Sequence, residues 1–368
     1  MNKKLVIFWY LLTCWAWGGE LEKFVEAAEK KHGEFGQKAA RFLVEGMPEG
    51  DRGNLGRDFL MTNLDLALKA KKEFSWAKKV PDRIFLNDVL PYASLDETRE
   101  DWRSFFYPKC KELVKGARTT TEAAQAINKG IFNLIKVHYN TGRKAPNQSP
   151  AESIKLGKAT CTGLSIILVD ACRTVGIPAR IAGTALWFNK RGNHTWVEIY
   201  DNGNWYFTGA DEYDAKGFNR GWFTGDASKA IEDQWQHAIW ASSWKKTGSN
   251  FPMVWNIRNK EVSGVNVTSR YVKKQKTSEG MVYFRMWDRK GGKRVVAVLN
   301  EVVKTKAGTA DLNDMAELQI KVGEVLRVTL DGETRSVKVP TGKTVDLYWD
   351  QLKCCLLYTS PSPRDPIG

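Results

Sequence analysis

The stretch GKATCTGLSIILVDACRTVGIPARIAG, residues 157–183, constrains the fold of this chain more than any other. Thr162–Val175 reads as an apolar helix, which has to lie inside a core. Gly176 follows where a left-handed cap is wanted and stops that helix. ARIAGTALW then alternates as a strand. GNHTWVEIY and NWYFTG are two more strands, joined by the hairpin turn DNGN. The expected core is therefore α+β, one buried helix feeding a small antiparallel sheet. Cys161 stands at the start of that helix, and His194 lies 33 residues later on a strand.

A cysteine becomes a nucleophile when its pKa is lowered, and a helix N-terminus with a nearby imidazole provides both influences. Taken residue by residue the pair is a modest signal. A free cysteine in an apolar helix is most often a small core hydrophobe, and a strand histidine is most often a hydrogen-bonded residue of no chemical consequence. Cys172, eleven residues down the same helix between Ala171 and Arg173, fits that plain description.

The wider pattern is more specific. G-x-A-x-C-T-G-L, L-V-D-A-C-R-T-V-G-I-P-A-R, G-N-H-T-W-V-E-I-Y and N-G-N-W follow one another between residues 157 and 205. Together they resemble the core of the transglutaminase-like superfamily, a papain-like Cys-His-Asp fold, in a secreted member of bacterial type. The resemblance covers about residues 121–214. It implies Cys161 as nucleophile and His194 as general base. The family's acid usually stands four residues after the strand tryptophan, but counting from Trp205 reaches Gly209. The candidates become Asp211 first, then Glu212, then Asp214 or an amide, with a bulge or bend at Gly209 giving the reach. The acid would accept the imidazole N–H and hold the useful tautomer. Glu198, four residues from His194 on the same strand face, is too distant for that task and is expected to pair with a basic residue such as Arg180. The Cys161 backbone N–H is the default oxyanion donor. Gln148, just upstream, is either a side-chain donor or a solvated loop residue. Trp187, Trp196, Trp222 and Trp235 either line an acyl-donor groove or pack.

Around this core, residues 1–18 read as a signal peptide, two lysines followed by an apolar run too short for a comfortable membrane span. A lipoprotein reading of LLTC is weaker because Thr13 is bulky. Residues 19–120 read as a mostly helical region, with breaks at Gly33 and Gly36 and an interruption at Pro108. Residues 121–262 hold the transglutaminase-like core and 263–350 a small β-sandwich. Residues 351–368 include CCLLYTSPSPRDPIG, which resembles a translated adaptor and reads as a non-native tail. Setting aside Cys14, Cys354 and Cys355 leaves Cys110, Cys161 and Cys172, an odd number that allows one disulfide at most. No CxxC or His-rich partner suggests a metal site.

The formal charge of +14 comes from 56 basic residues mixed with 42 acids, without a basic block or a nucleic-acid motif, so it reads as a solvated surface. The expected activity is acyl transfer or hydrolysis on protein or peptide amides through a Cys161 thioester, covering protease, deamidase and crosslinking chemistry, in an exported, periplasmic or extracellular setting. Neither metal nor cofactor is required, and no nucleic-acid or transmembrane partner is expected. The competing reading is an exported binding module that keeps the fold without the catalysis.

Overall fold

The computed structural model describes residues 3–188, 192–272, 279–308, 315–321, 324–338 and 344–354. Side chains of residues 1–18, and residues 355–368 entirely, lie outside that description. The signal-peptide reading and most of the aberrant tail therefore fall there. No helix among the described residues is long and apolar enough to cross a membrane. The chain divides into two compact units, Met1–Trp187 with Gly192–Tyr271, and Phe188–Arg191 with Val272–Gly368.

In the first unit, helix α1 (Lys3–Gly46) leaves helical geometry at Gly33, whose φ of 70° suits glycine best. Helix α2 (Arg57–Glu73) packs against it. Helix α3 (Trp102–Leu113) starts at Asp101, which accepts a hydrogen bond from Ser104 N at 3.2 Å. The expected interruption at Pro108 does not occur. Proline removes one backbone donor, while buried Phe106, Tyr107 and Cys110 keep the helix seated. The preceding ASLDETRED is irregular rather than helical. The Glu97 carboxylate accepts from Ser94 N (2.6 Å) and Leu95 N (2.7 Å), giving that backbone partners outside a helix.

Helix α4 (Thr120–Ile135) begins with Thr119 accepting from Glu122 N at 3.1 Å, as the hydroxyl-then-acid pattern predicts. Helix α5 (Cys161–Thr174) is the buried centre. Its Ile166, Ile167, Leu168 and Val169 share one core with Ile181, Val197 and Ile199 of the sheet. Full burial of each such side chain contributes about 1.5–3 kcal/mol. Gly176 takes φ 75° past the end of α5, and a Cβ there would meet Ala77 Cβ.

The helices before residue 120 belong to the same compact unit, and two buried arginines show how. Arg103 on α3 donates to Asn63 Oδ1 (2.6 Å) and to the Arg173 carbonyl (2.9 Å). Arg173 donates to the carbonyls of Asp88 (3.1 Å), Ala93 (3.0 Å) and Ala179 (2.9 Å). Carbonyls that would otherwise be orphaned at the end of α5 and in the irregular segment are satisfied inside the core.

Five antiparallel strands complete the unit: β1 (Ala179–Thr184), β2 (His194–Asp201), β3 (Asn204–Thr208), β4 (Trp240–Ser243) and β5 (Ser263–Asn266), in the spatial order β3-β2-β1-β4-β5. The β2–β3 hairpin turns at Asn202 and Gly203, with φ of 45° and 89°, as DNGN predicts. Ser263–Asn266, expected to open the β-sandwich, is instead the edge strand of this sheet, paired with Trp240–Ser243. Alternation alone shows a strand but not which sheet takes it.

The second unit holds two sheets among its described residues. One is three-stranded, around Glu279–Trp287; the other is five-stranded, around Val325–Leu330 and Glu333–Lys338. Val282, Phe284 and Met286 share a single core with Leu299, Leu326 and Val328.

Candidate active site

Cys161 is the first helical residue of α5, after Thr160 in extended geometry (φ −102°, ψ −175°). At this position its backbone N–H has no intrahelical acceptor, so it faces outward with the positive end of the helix dipole. The loop ahead of it is held by Gln148, which is buried. Its Oε1 accepts from Lys144 N (2.7 Å) and Ala145 N (3.3 Å), and its Nε2 donates to Ser153 Oγ (3.3 Å) and the Lys158 carbonyl (3.1 Å). Gln148 is therefore neither a solvated loop residue nor a free oxyanion donor. Both ends of its amide are spent on shaping the loop.

His194 opens β2 opposite Thr184 of β1. The neighbouring Thr195 Oγ1 donates to Thr162 Oγ1 at 3.1 Å, tying this end of the strand to the first turn of α5. The imidazole is only 7% exposed. Its ring lies 4.7 Å from Trp222, 5.0 Å from Phe223, 5.7 Å from Trp196 and 6.0 Å from Trp187, centre to centre. Nε2 is buried without a hydrogen-bond partner. Burial in this aromatic surround pushes the His194 pKa down to about 4. The ring is neutral at pH 7, the state a general base requires.

Cys161, His194, Asp211 and Glu212 line one cavity of about 370 Å³, together with Tyr139 and Trp222. The acids do not complete a hydrogen-bonded triad. Val197 pairs with Thr208, and continuing that register past the strand would set Gly209 against Trp196 and Asp211 against His194. The strand stops at Thr208, however, and Asp211 adopts φ 64°, turning the chain. Asn128 of α4 clamps this bend. Its Nδ2 donates to Thr208 Oγ1 (3.1 Å) and the Gly209 carbonyl (2.9 Å), and its Oδ1 accepts from Asp211 N (3.1 Å). The Asp211 carboxylate then meets His138 Nδ1 at 2.9 Å, while Glu212 Oε1 accepts from Trp222 Nε1 at 3.1 Å. Neither carboxylate hydrogen-bonds His194. Burial, and secondarily the charge of Asp211, raises the Glu212 carboxyl above its ordinary range against the opposing Trp222 bond.

Other candidates separate cleanly. Asp214 accepts from Lys216 N and pairs with Arg220, and it does not line the cavity. Glu198 pairs with Arg180, as expected, through bonds of 2.8 and 2.7 Å. Trp187 and Trp196 stack as core rings, and Trp235 does not line the cavity; of the four tryptophans only Trp222 does. Cys110 and Cys172 are buried free thiols whose pKa values burial drives upward, so each suits packing rather than chemistry. His138 and Asn128 were not legible from sequence. Each sits in or just after a helical run, and their partners lie 73 and 80–83 residues away.

The depressed His194 pKa carries a stability consequence. The unfolded ring binds its proton near pH 6.5 and the folded ring near 4, so stability is lost as pH falls through that window. Once both forms are protonated the loss is about 3 kcal/mol. Chemical denaturation of wild type and His194→Asn at pH 7 and pH 4 measures it. Wild type is expected to show the larger drop, and equal drops would contradict burial of a neutral ring.

Residues 109–210 match the model of the Transglutaminase-like superfamily. No curated protein matches the chain. Among solved structures, one described as a "putative cysteine protease" from Cytophaga hutchinsonii is similar at 20% identity, covering 48% of this chain and 50% of that one, with a TM-score of 0.23. A red sea bream transglutaminase is similar at 10% identity, covering 77% of this chain and 52% of that one, with a TM-score of 0.29. The chain thus spans about half the length of each. At such scores these likenesses add nothing to the family match. The motif-bearing segment thus matches the Transglutaminase-like superfamily over residues 109–210, within a chain of α+β architecture.

Proposed function

We propose that the chain catalyses thiol-dependent acyl transfer or hydrolysis on protein or peptide amides, with Cys161 as nucleophile and His194 as general base. The observation that carries this reading is the shared cavity. A cysteine at a helix N-terminus and a buried, neutral imidazole with an unpartnered Nε2 line the same 370 Å³ space. A polar ring atom left unpaired in a core costs free energy, so a buried imidazole that shares a cavity with a cysteine is better explained by a chemical role than by packing.

In the proposed reaction His194 takes the Cys161 proton. The sulfur bonds to the amide carbonyl carbon, and the oxyanion is met by the Cys161 backbone N–H. The C–N bond breaks as the imidazolium returns its proton to the leaving amine or ammonia. Water or a second amine then attacks the thioester, His194 removes its proton, and the C–S bond breaks to restore the thiol. Hydrolysis needs water alone, whereas crosslinking needs room for the second amine. An exported location remains part of the proposal, resting on residues 1–18 of the sequence.

The missing carboxylate bond to His194 favours a second reading, a binding module that retains the fold. Labelling with a thiol-directed electrophile at near-neutral pH separates the two. A catalytic Cys161 is expected to react at least about tenfold faster than a model thiol and to lose that advantage in His194→Ala. A Cys161 no faster than the model thiol, and unaffected by His194→Ala, sinks the enzyme reading. Ammonia release and peptide cleavage across a peptide library, with and without a primary amine, then assign the reaction type.

A further inference from the structure

We infer that Glu212 supplies the carboxylate that orients His194, entering through the space that a side chain at residue 209 would fill. This rests on the thiol-enzyme reading above and names a positioning residue for it.

Residue 209 is the position four beyond the strand tryptophan, and here it is glycine. Continuing the β2–β3 register sets it opposite Trp196, and directly paired residues project to the same face of a sheet. His194 is two residues from Trp196 along its strand, so it shares that face. In that continued register a side chain at 209 would lie on the face that carries His194. A Cβ added to Gly209 would overlap Glu212 Oε2 and lie 2.5 Å from Glu212 Cδ. The carboxylate of Glu212 has folded back over the glycine into the volume where such a side chain begins. Glycine is what permits this, because any larger residue would displace the carboxylate.

The second support is Trp222. Its indole N–H donates to Glu212 Oε1 at 3.1 Å, and its ring is the one nearest His194, at 4.7 Å. Trp222 is 62% exposed, so burial alone does not hold it there. The hydrogen bond ties one carboxylate oxygen to the indole that packs nearest the imidazole; Oε2 makes no hydrogen bond to the ring in this structure and is the oxygen proposed to accept the ring N–H. Asp211, the rival, has its carboxylate committed to His138 at 2.9 Å and its backbone N–H to Asn128 at 3.1 Å. Among the described residues, the titratable groups that line the cavity with His194 are Cys161, Tyr139, Asp211 and Glu212.

Full-length wild type, Glu212→Gln, Glu212→Ala, Asp211→Asn and the double variant Gly209→Asp/Glu212→Ala test the assignment. Cys161 alkylation and peptide-amide turnover would be followed against pH, with circular dichroism reporting the fold. Glutamine still accepts the Trp222 N–H but carries no charge, so a merely structural contact survives Glu212→Gln. If Glu212 orients His194, Glu212→Gln is expected to lose about 100-fold in turnover and to shift the pH profile of alkylation. The double variant restores an acid at residue 209 and is expected to regain at least about tenfold over Glu212→Ala.

Wild-type rate and pH profile in Glu212→Gln overturn the inference. So does a loss in Asp211→Asn as large as that in Glu212→Gln, or a double variant that stays folded without any rescue. If wild-type Cys161 reacts no faster than a model thiol, the enzyme reading itself falls. A reactive Cys161 indifferent to Glu212→Gln removes this assignment alone.

Discussion

Cys161→Ala, His194→Ala and the double variant are expected to lose the same activity, on the order of 10⁴-fold or more in kcat. In the proposed mechanism the thiol and the imidazole act as one unit. Without the sulfur no thioester forms, and without the ring no base takes up the proton and the leaving amine gains none. Once either is gone, removing the other costs little more. Residual turnover would come from the Cys161 backbone N–H and from binding in the 370 Å³ cavity. Mass spectrometry of the trapped acyl-enzyme, with kcat for each variant, measures this. Additive losses would mean that the two residues contribute separately. Undiminished turnover in Cys161→Ala would place the chemistry elsewhere in the chain.

The largest effect on stability is expected at Glu198. Its carboxylate, with 2% of the side chain exposed, accepts from Arg180 Nε and Nη2 at 2.8 and 2.7 Å, from Arg270 Nη1 at 3.0 Å and from Tyr271 Oη at 2.9 Å. Tyr271 in turn accepts from Trp196 Nε1 at 2.8 Å, so the network reaches the strand that carries His194. Arg180 is itself buried and lies 3.8 Å from the Trp205 ring centre. Glu198→Ala leaves the guanidinium without its carboxylate, a class of change that costs about 3–5 kcal/mol. Replacing Arg180 and Glu198 together with methionine is expected to cost less than the single change, because both charges leave the core at once. Equilibrium denaturation of the two singles and the double gives the coupling. A Glu198→Ala loss below about 1 kcal/mol would show the network to be better solvated than its burial implies.

Much of this was legible in local sequence, for identifiable reasons. The apolar run of α5, its glycine stop, the hairpin at Asn202 and Gly203 and the Thr119 cap each depend on residues within a turn or two of one another. The Arg180–Glu198 pair was also anticipated, because Glu198 is too far from His194 along an extended strand to serve it, and the two residues pair across neighbouring strands. Failures occurred where a distant partner changed the outcome. Pro108 was expected to break a helix that burial holds together, and Gln148 was read as solvated or as a donor when it is the buried clamp of its own loop. Ser263–Asn266 was given to the wrong sheet because alternation does not name a neighbour.

From sequence alone came the α+β core, the cysteine at the head of a buried helix, the histidine on the following strand and the absence of an acid at Gly209. The first three follow from periodicity, turn chemistry and spacing, which act over a few residues, and the meaning of Gly209 comes from the resemblance to the transglutaminase-like superfamily. Only the tertiary structure decided where the carboxylates go: Asp211 onto His138, and Glu212 folded back over Gly209 beneath Trp222. Their destinations depend on a bend clamped by Asn128, more than 80 residues earlier in the chain, and no local pattern carries that information.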